Sequence, residues 1–339
     1  MINARDIIAL LPILVISATA VLVMMGIAWK RSPVLAAGLT LVGLAGAFLS
    51  IFAAVPLAPR QVTSLLLVDR FALFYIGLII ASALAVAALS YDYLKNRDEH
   101  REELYVLLLI ATAGSAVLAA STHFVSFLLG LEILSVSLYA LIAYLKDRNQ
   151  ALEAGIKYLI LASASAAFLL FGMALIYADV GTMEFSRIRG ISLGGSSFAL
   201  LAPGVGLMVT GIGFKIGVVP FHLWTPDVYE GAPAPVAAFV ATTSKSAMVA
   251  LLLRYAFLSG AFEYRGVFLV FGIVARKGSA AGLSADPVPQ AMVITGIVVA
   301  FAASALAVAL TLRLFEETGQ ATLRSDAGTR PPDDQAEAE

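Results

Sequence analysis

Cysteine is absent from this 339-residue chain, and its absence excludes structural disulfides, thiolate zinc sites and cysteine-ligated iron–sulfur clusters together. Any redox cofactor is expected on another chain. Charge is scarce as well: Asp, Glu, Lys and Arg make up 13% of the residues, about half the share found in ordinary soluble domains. The formal net charge is −1, and no basic run with interleaved aromatics is present, so nucleic acid is set aside as a partner. The chain also lacks a GxGxxG dinucleotide motif, a metal-ligand cluster and a nucleophile–His–acid arrangement. It is expected to hold no cofactor and no catalytic site of its own.

What fills the sequence is apolar surface: 60% of residues are hydrophobic and the mean hydropathy is +0.92. The apolar residues fall in blocks close to the length of about 20 that a helix needs to cross a bilayer. Short alternating segments, the mark of a transmembrane barrel, are missing. The expected fold is an all-α polytopic transmembrane bundle. Eight runs are bounded by charge, Pro or Gly, at about 7–29, 33–55, 68–91, 103–121, 124–145, 154–178, 199–221 and 234–258. The first is longer than a signal-peptide core and has no small-residue cleavage pattern, so it reads as a span. Gly266 to Ala275 is a stub too short to cross unaided, Val288 to Phe315 is a final span, and the polar tail from Glu316 to Glu339, with Pro331-Pro332, is expected to be disordered. About nine spans result.

Lys30, Arg31, Lys95, Arg97, Arg101, Lys146 and Arg148 all follow odd-numbered spans. By the positive-inside rule the N-terminus is outside, the loop after Leu258 is outside and the C-terminus is inside.

Charges within apolar runs carry the functional signal, because each costs about 2.5–3.5 kcal/mol at a helix centre on insertion scales. Glu132 lies near the middle of the fifth run, FVSFLLGLEILSVSLYAL, with Ser135 and Tyr139 on the same helical face. Lys245 is central in the eighth, VAAFVATTSKSAMVALLL, with Thr242 one turn before it and Ser244 and Ser246 beside it. Lys215 sits in VTGIGFKIGVVPFHLW, where Gly211, Gly213 and Gly217 permit close approach and Pro220 is expected to break the helix downstream. A broken helix at membrane depth is tolerated mainly beside a cavity. Lys157 is close enough to the start of the sixth run that its ammonium could instead snorkel to the interface.

For Glu132 and Lys245 the simplest structural role is a salt bridge between helices. The functional alternative is proton exchange, since burial favours the neutral form of a carboxyl and of an amine. A neighbouring Lys and Glu would also titrate together. His222, in VPFHLWTPDVYEGAPAP, reads as a relay or as interfacial packing beside Trp224. Asp69-Arg70 read as interfacial anchors or a local ion pair, Arg254 as a snorkelling residue, and Asp227 and Glu230 as solvated loop residues.

At these residues the chain resembles a known family. LGLEILSVSLYALIAYLKDRNQALEAGIKYLILASASAAFLLFGMALIYADVGT and GIGFKIGVVPFHLWTPDVYEGAPAPVAAFVATTSKSAM are similar to subunit N of bacterial NADH-quinone oxidoreductase, an antiporter-like membrane subunit of respiratory complex I. The resemblance covers about residues 1–273. It implies proton translocation along a hydrated axis in the bacterial inner membrane, driven by electron transfer from NADH to quinone in other subunits. By position it assigns Glu132, Lys157, Lys215 and Lys245 to the family's buried charges on helices five, six, seven and eight. The implied partners are the other membrane subunits and the lipid bilayer, with NADH and quinone met only through the complex.

Family members carry about fourteen helices in which two inverted five-helix repeats are found, and here only the first repeat is recognisable. The domain reading is N-terminal helices at 1–121, the antiporter-like repeat at 103–258, a truncated span and seam at 259–287, a final helix at 288–315 and the tail at 316–339. Past Ile273 the run DPVPQAMVITGIVV resembles the last helix of a small membrane subunit of Mrp-type sodium/proton antiporters, with ARKGSAAGL, Ala275 to Leu283, as the seam. The second repeat is missing, and with it the family's twelfth-helix lysine. An Mrp-type antiporter subunit and a non-conducting remnant are therefore the alternatives.

Overall fold

The structure is a computed structural model that describes residues 3–95, 101–188, 198–218 and 221–260. Pro220, the stub, the seam, the final run and the tail lie outside the described residues. Among the described residues the chain is an all-α membrane bundle with one two-residue-per-strand hairpin.

The helices start and stop where the sequence chemistry favours it. Helix α1 (Ala4–Trp29) is preceded by Asn3, whose backbone N–H donates to Asp6 Oδ2 at 2.7 Å. Ser32 and Pro33 open α2 (Pro33–Ala54), Ser32 Oγ accepting from the Leu35 amide. Asp69 caps α3 (Arg70–Leu94) by accepting from the Ala72 amide at 2.7 Å. The hairpin of β1 (Arg60–Gln61) and β2 (Leu67–Val68) lies between α2 and α3. Then come α4 (Glu102–Ala120), α5 (Phe124–Ile142), α6 (Asn149–Val180), α7 (Phe198–Ile216), α8 (Trp224–Gly231), α9 (Ala234–Phe239) and α10 (Lys245–Leu258).

Seven helical stretches are long and apolar enough to cross a membrane, the seventh running from Ala234 to Leu258 through α9 and α10. The apolar part of α7 is shorter, Leu200–Ile216. The expected seventh span, 199–221, is thus cut short: the helix ends at Ile216 because Gly217 adopts φ +76°, upstream of Pro220. The WTPDVYEG stretch, expected as a Pro/Gly-rich loop, forms the two-turn helix α8.

Contacts between loops sort the helix ends. Arg31 pairs with Glu103 at 3.2 Å, so the α1–α2 turn and the start of α4 share one end of the bundle. At the other end Arg60 pairs with Asp6, the Thr122 amide donates to Leu65 O at 3.0 Å, and the Phe185 amide donates to Thr122 O at 3.0 Å. The alternation matches the loop sidedness read from Lys and Arg. Small residues let neighbours approach: a Cβ on Gly114 of α4 would stand 2.8 Å from the Leu134 amide nitrogen and 2.9 Å from Gly130 O of α5. This backbone contact is how helices associate where lipid supplies no hydrophobic drive.

Arg254 departs from expectation. Its side chain is buried and forked onto Asp69, with Nη2–Oδ1 at 2.7 Å and Nη1–Oδ2 at 3.1 Å, while Nε donates to Ala119 O at 3.1 Å. Its guanidinium also lies 5.0 Å from the Phe71 ring centroid. Neither residue snorkels or merely anchors, because every donor used has an acceptor inside the protein. The pair locks α10 to the start of α3, and it sets the end of α10 beside the α2–α3 connection. Arg254→Leu is expected to destabilise the bundle by about 3–5 kcal/mol, since it strands a carboxylate. Thermal unfolding in detergent checks this, and the double variant Arg254→Met with Asp69→Asn should recover part of the loss.

Candidate functional site

The stripe expected on α5 exists, and its middle member meets a partner on another helix. Ser135 is buried and its Oγ donates to Leu131 O at 2.6 Å while accepting from Lys215 Nζ at 2.8 Å. Lys215 is 5% exposed. Its ammonium also lies 5.7 Å from the Tyr158 ring centroid, within cation–π reach. Half-buried Glu132 is the acidic charge that Lys215 senses, and Tyr139 sits beside Ser135, Ser163 and Glu132. The four polar residues of α5 and α7 therefore converge.

Around Lys215 the aromatics of four helices close a wall. Tyr158 of α6 is 5.8 Å from Tyr139, 6.4 Å from Phe214 and 5.0 Å from Trp224, ring centroid to centroid. Trp224 Nε1 donates to Phe214 O at 2.9 Å and so satisfies a carbonyl that the end of α7 leaves without a helical donor. The break after Ile216 is stabilised by the first residue of α8.

Lys245 follows a five-residue π turn, Val240–Ser244. Such turns widen a helix locally and often occur at functional sites. Thr242 and Thr243 in that turn both bond Ser82 of α3, at 3.0 and 2.7 Å. Lys245 itself is half-buried, with Nζ 5.5 Å from the Tyr229 ring centroid. The carboxylate-to-ammonium bridge that would make Glu132 and Lys245 simple glue is absent among the described residues: none of Lys215, Lys245 and Glu132 has an opposite charge within 4.0 Å.

Lys157 stands apart. It is exposed on α6 and paired with two carboxylates, Glu153 at 2.6 Å and Asp227 at 3.0 Å. Asp227, read as a solvated loop residue, is an ion-pair partner in the first turn of α8. His222 is half-buried with Nδ1 buried and without a hydrogen-bond partner among the described residues. Thr225 Oγ1 and the Tyr229 hydroxyl are in the same condition. The sequence reading missed Thr225, Tyr229 and the Trp224 cap; the WTPDVYEG run that holds them was the available signal.

The arrangement defines a class first: a helical membrane domain with a broken helix, a π turn and buried lysines held by neutral groups. Residues 121–285 match the family described as NADH:quinone oxidoreductase/Mrp antiporter, TM. That match runs past Ile273 and into the stretch read as a seam. The chain is 51% identical over 257 residues to NADH-quinone oxidoreductase subunit N of Ectopseudomonas mendocina, covering 74% of this chain and 52% of the relative. It superposes on a chain of respiratory complex I from Thermus thermophilus with TM-score 0.64 at 31% identity, covering 91% of this chain and 65% of that one. A chain of the Mrp complex from Dietzia sp. shares the fold at TM-score 0.67 and 17% identity, over 80% of this chain and 52% of that one. The chain is a homologue of subunit N and carries the antiporter-type membrane domain. It spans about half the length of the curated relative it matches.

Ser135→Ala removes the hydroxyl that holds the Lys215 ammonium and is expected to lower stability by about 1.5–3 kcal/mol, with Ser135→Thr close to wild type. Denaturant unfolding of the detergent-purified chain measures both.

Proposed function

We propose that this chain is a proton-translocating membrane subunit of a respiratory NADH:quinone oxidoreductase, in which Glu132, Lys157, Lys215 and Lys245 move protons while other subunits pass electrons from NADH to quinone. The observation that carries the reading is the contrast between two kinds of charge. Arg254 is forked onto a carboxylate and fixed, whereas Lys215 is as deeply buried and held only by a serine hydroxyl and a ring face. A buried ammonium without a paired carboxylate can release its proton without stranding a counter-charge. Glu132, acting on Lys215 from the neighbouring helix, makes the proton affinity of one depend on the charge of the other.

Lys157 belongs to the row through Asp227, the ion pair that ties α6 to the helix following the break. Reading the chain as a subunit rather than a self-contained enzyme follows from its complement of residues: proton-exchanging groups, with the redox chemistry on partner chains. The working location is the bacterial inner membrane, and the partners are the neighbouring membrane subunits.

One observation supports a second reading. The fold is shared with the Mrp complex chain as closely as with complex I, so a cation/proton antiporter subunit is the alternative. Sodium-stimulated proton exchange in vesicles would select it.

The deciding experiment assembles the full chain with its neighbouring subunits in vesicles and records NADH-driven proton flux. Lys215→Ala, Lys245→Ala and Glu132→Ala are each expected to lower flux by about tenfold or more with assembly intact. Wild-type flux in all three would leave the chain a packing element that conducts nothing.

A further inference from the structure

Gly217 lies at the break two residues after Lys215, and the direction its missing side chain would take is informative. A Cβ there would stand 3.0 Å from Thr225 Oγ1, 3.6 Å from Trp224 Cζ2 and 3.7 Å from Lys245 Nζ. One glycine hydrogen therefore points into a gap that has a hydroxyl on one side and the Lys245 ammonium on the other. The two polar atoms can be no farther apart than those two distances laid end to end, a span that one or two waters bridge with hydrogen bonds of about 2.8 Å.

The groups around this gap lack protein partners. Thr225 Oγ1 is buried and makes no hydrogen bond among the described residues, although its own amide is satisfied by His222 O at 2.9 Å. The Tyr229 hydroxyl, on the ring that faces Lys245, and His222 Nδ1 are buried and unpartnered too. Three such atoms within one eight-residue stretch, His222 to Tyr229, stand out because buried polar groups are almost always hydrogen-bonded to protein or to ordered water. Elsewhere in the core hydroxyls are satisfied: Ser82, Thr242 and Thr243 bond one another.

We infer that ordered water occupies the gap framed by Gly217, Thr225 and Lys245, that Thr225 positions it, and that Gly217 keeps the gap open. Thr225 and Gly217 are positioning residues for proton transfer at Lys245, a role that rests on the proton-translocating reading above. The step is a shift along hydrogen bonds. The N–H bond of the Lys245 ammonium breaks as the water beside it takes the proton and releases one of its own to the next water. Lys245 is left as a neutral amine, the water keeps its composition and the excess proton moves on. The reverse shift recharges Lys245.

The test uses the full chain assembled with its neighbours, read by NADH-driven proton flux, solvent isotope effect and thermal midpoint. Thr225→Val is expected to lower flux about tenfold and enlarge the solvent isotope effect, with Thr225→Ser near wild type. Gly217→Ala and Gly217→Ser put the same Cβ at the same positive φ and differ only in a hydroxyl that can stand in for the water. Ala is expected to lose flux and Ser to retain it. Equal loss in Ala and Ser would trace the effect to backbone strain and overturn the inference. So would wild-type flux in Thr225→Val together with a raised thermal midpoint, the behaviour of a bare hydroxyl replaced by a methyl. Lys245→Ala separates the two levels: if it abolishes flux while Thr225→Val and Gly217→Ala are silent, only the water site fails. If Lys245→Ala is itself silent, the underlying reading fails.

Discussion

The hydrocarbon interior of a membrane offers no hydrogen-bonding partner, so every polar group at that depth must be satisfied by the protein or by water that the protein admits. The helices of this chain meet the demand for their own backbones. Side-chain charge is then what requires explanation, and the bundle treats it in two ways. Asp69 and Arg254 are matched fork to fork, with Ala119 O taking the remaining Nε–H donor. Lys215 and Lys245 are given a hydroxyl or a ring face instead. The first arrangement fixes helices; the second leaves a charge free to change.

Irregular backbone is where the second arrangement is built. Helix α7 stops at Ile216 because Gly217 turns left-handed, and Trp224 returns to donate to Phe214 O. On the facing side of the bundle the π turn before Lys245 is held by two threonines on Ser82. A regular helix could not leave such openings, since its side chains and ladder would fill them. The two distortions meet where Gly217 faces Lys245, which is why the lysines, the aromatic wall and the unpartnered hydroxyls occur together. The homology to subunit N agrees with this geometry over the described helices, while the half-length match means that the companion half of a full-length relative has no counterpart in the matched region.

Much of the bundle was legible in the order of residues. Runs of apolar residues near bilayer length named the helices, and Lys and Arg between them sorted the ends. The i+3 and i+7 spacing from Glu132 placed Ser135 and Tyr139 on one face, because helical periodicity is a local property. Glycines around Lys215 announced a break. Its position falls earlier than Pro220 suggests, since a glycine can end a helix through positive φ before a proline removes a donor.

Partners across helices were not legible. Ser135 finds Lys215 across 80 residues of chain, Lys157 finds Asp227 across 70, and Asp69 finds Arg254 across 185. Spacing along a chain encodes which face a side chain shares, whereas the rotation of each helix about its axis follows from packing of all its neighbours at once. Asp227 and Arg254 looked solvated or snorkelling for that reason, as single charges near the ends of apolar runs. The chain's order thus established a helical membrane protein with charges buried in it. Assembly of the helices established which of those charges are neutralised and which are left to exchange a proton, because pairing is a matter of a few ångströms between segments that only the packed bundle brings together.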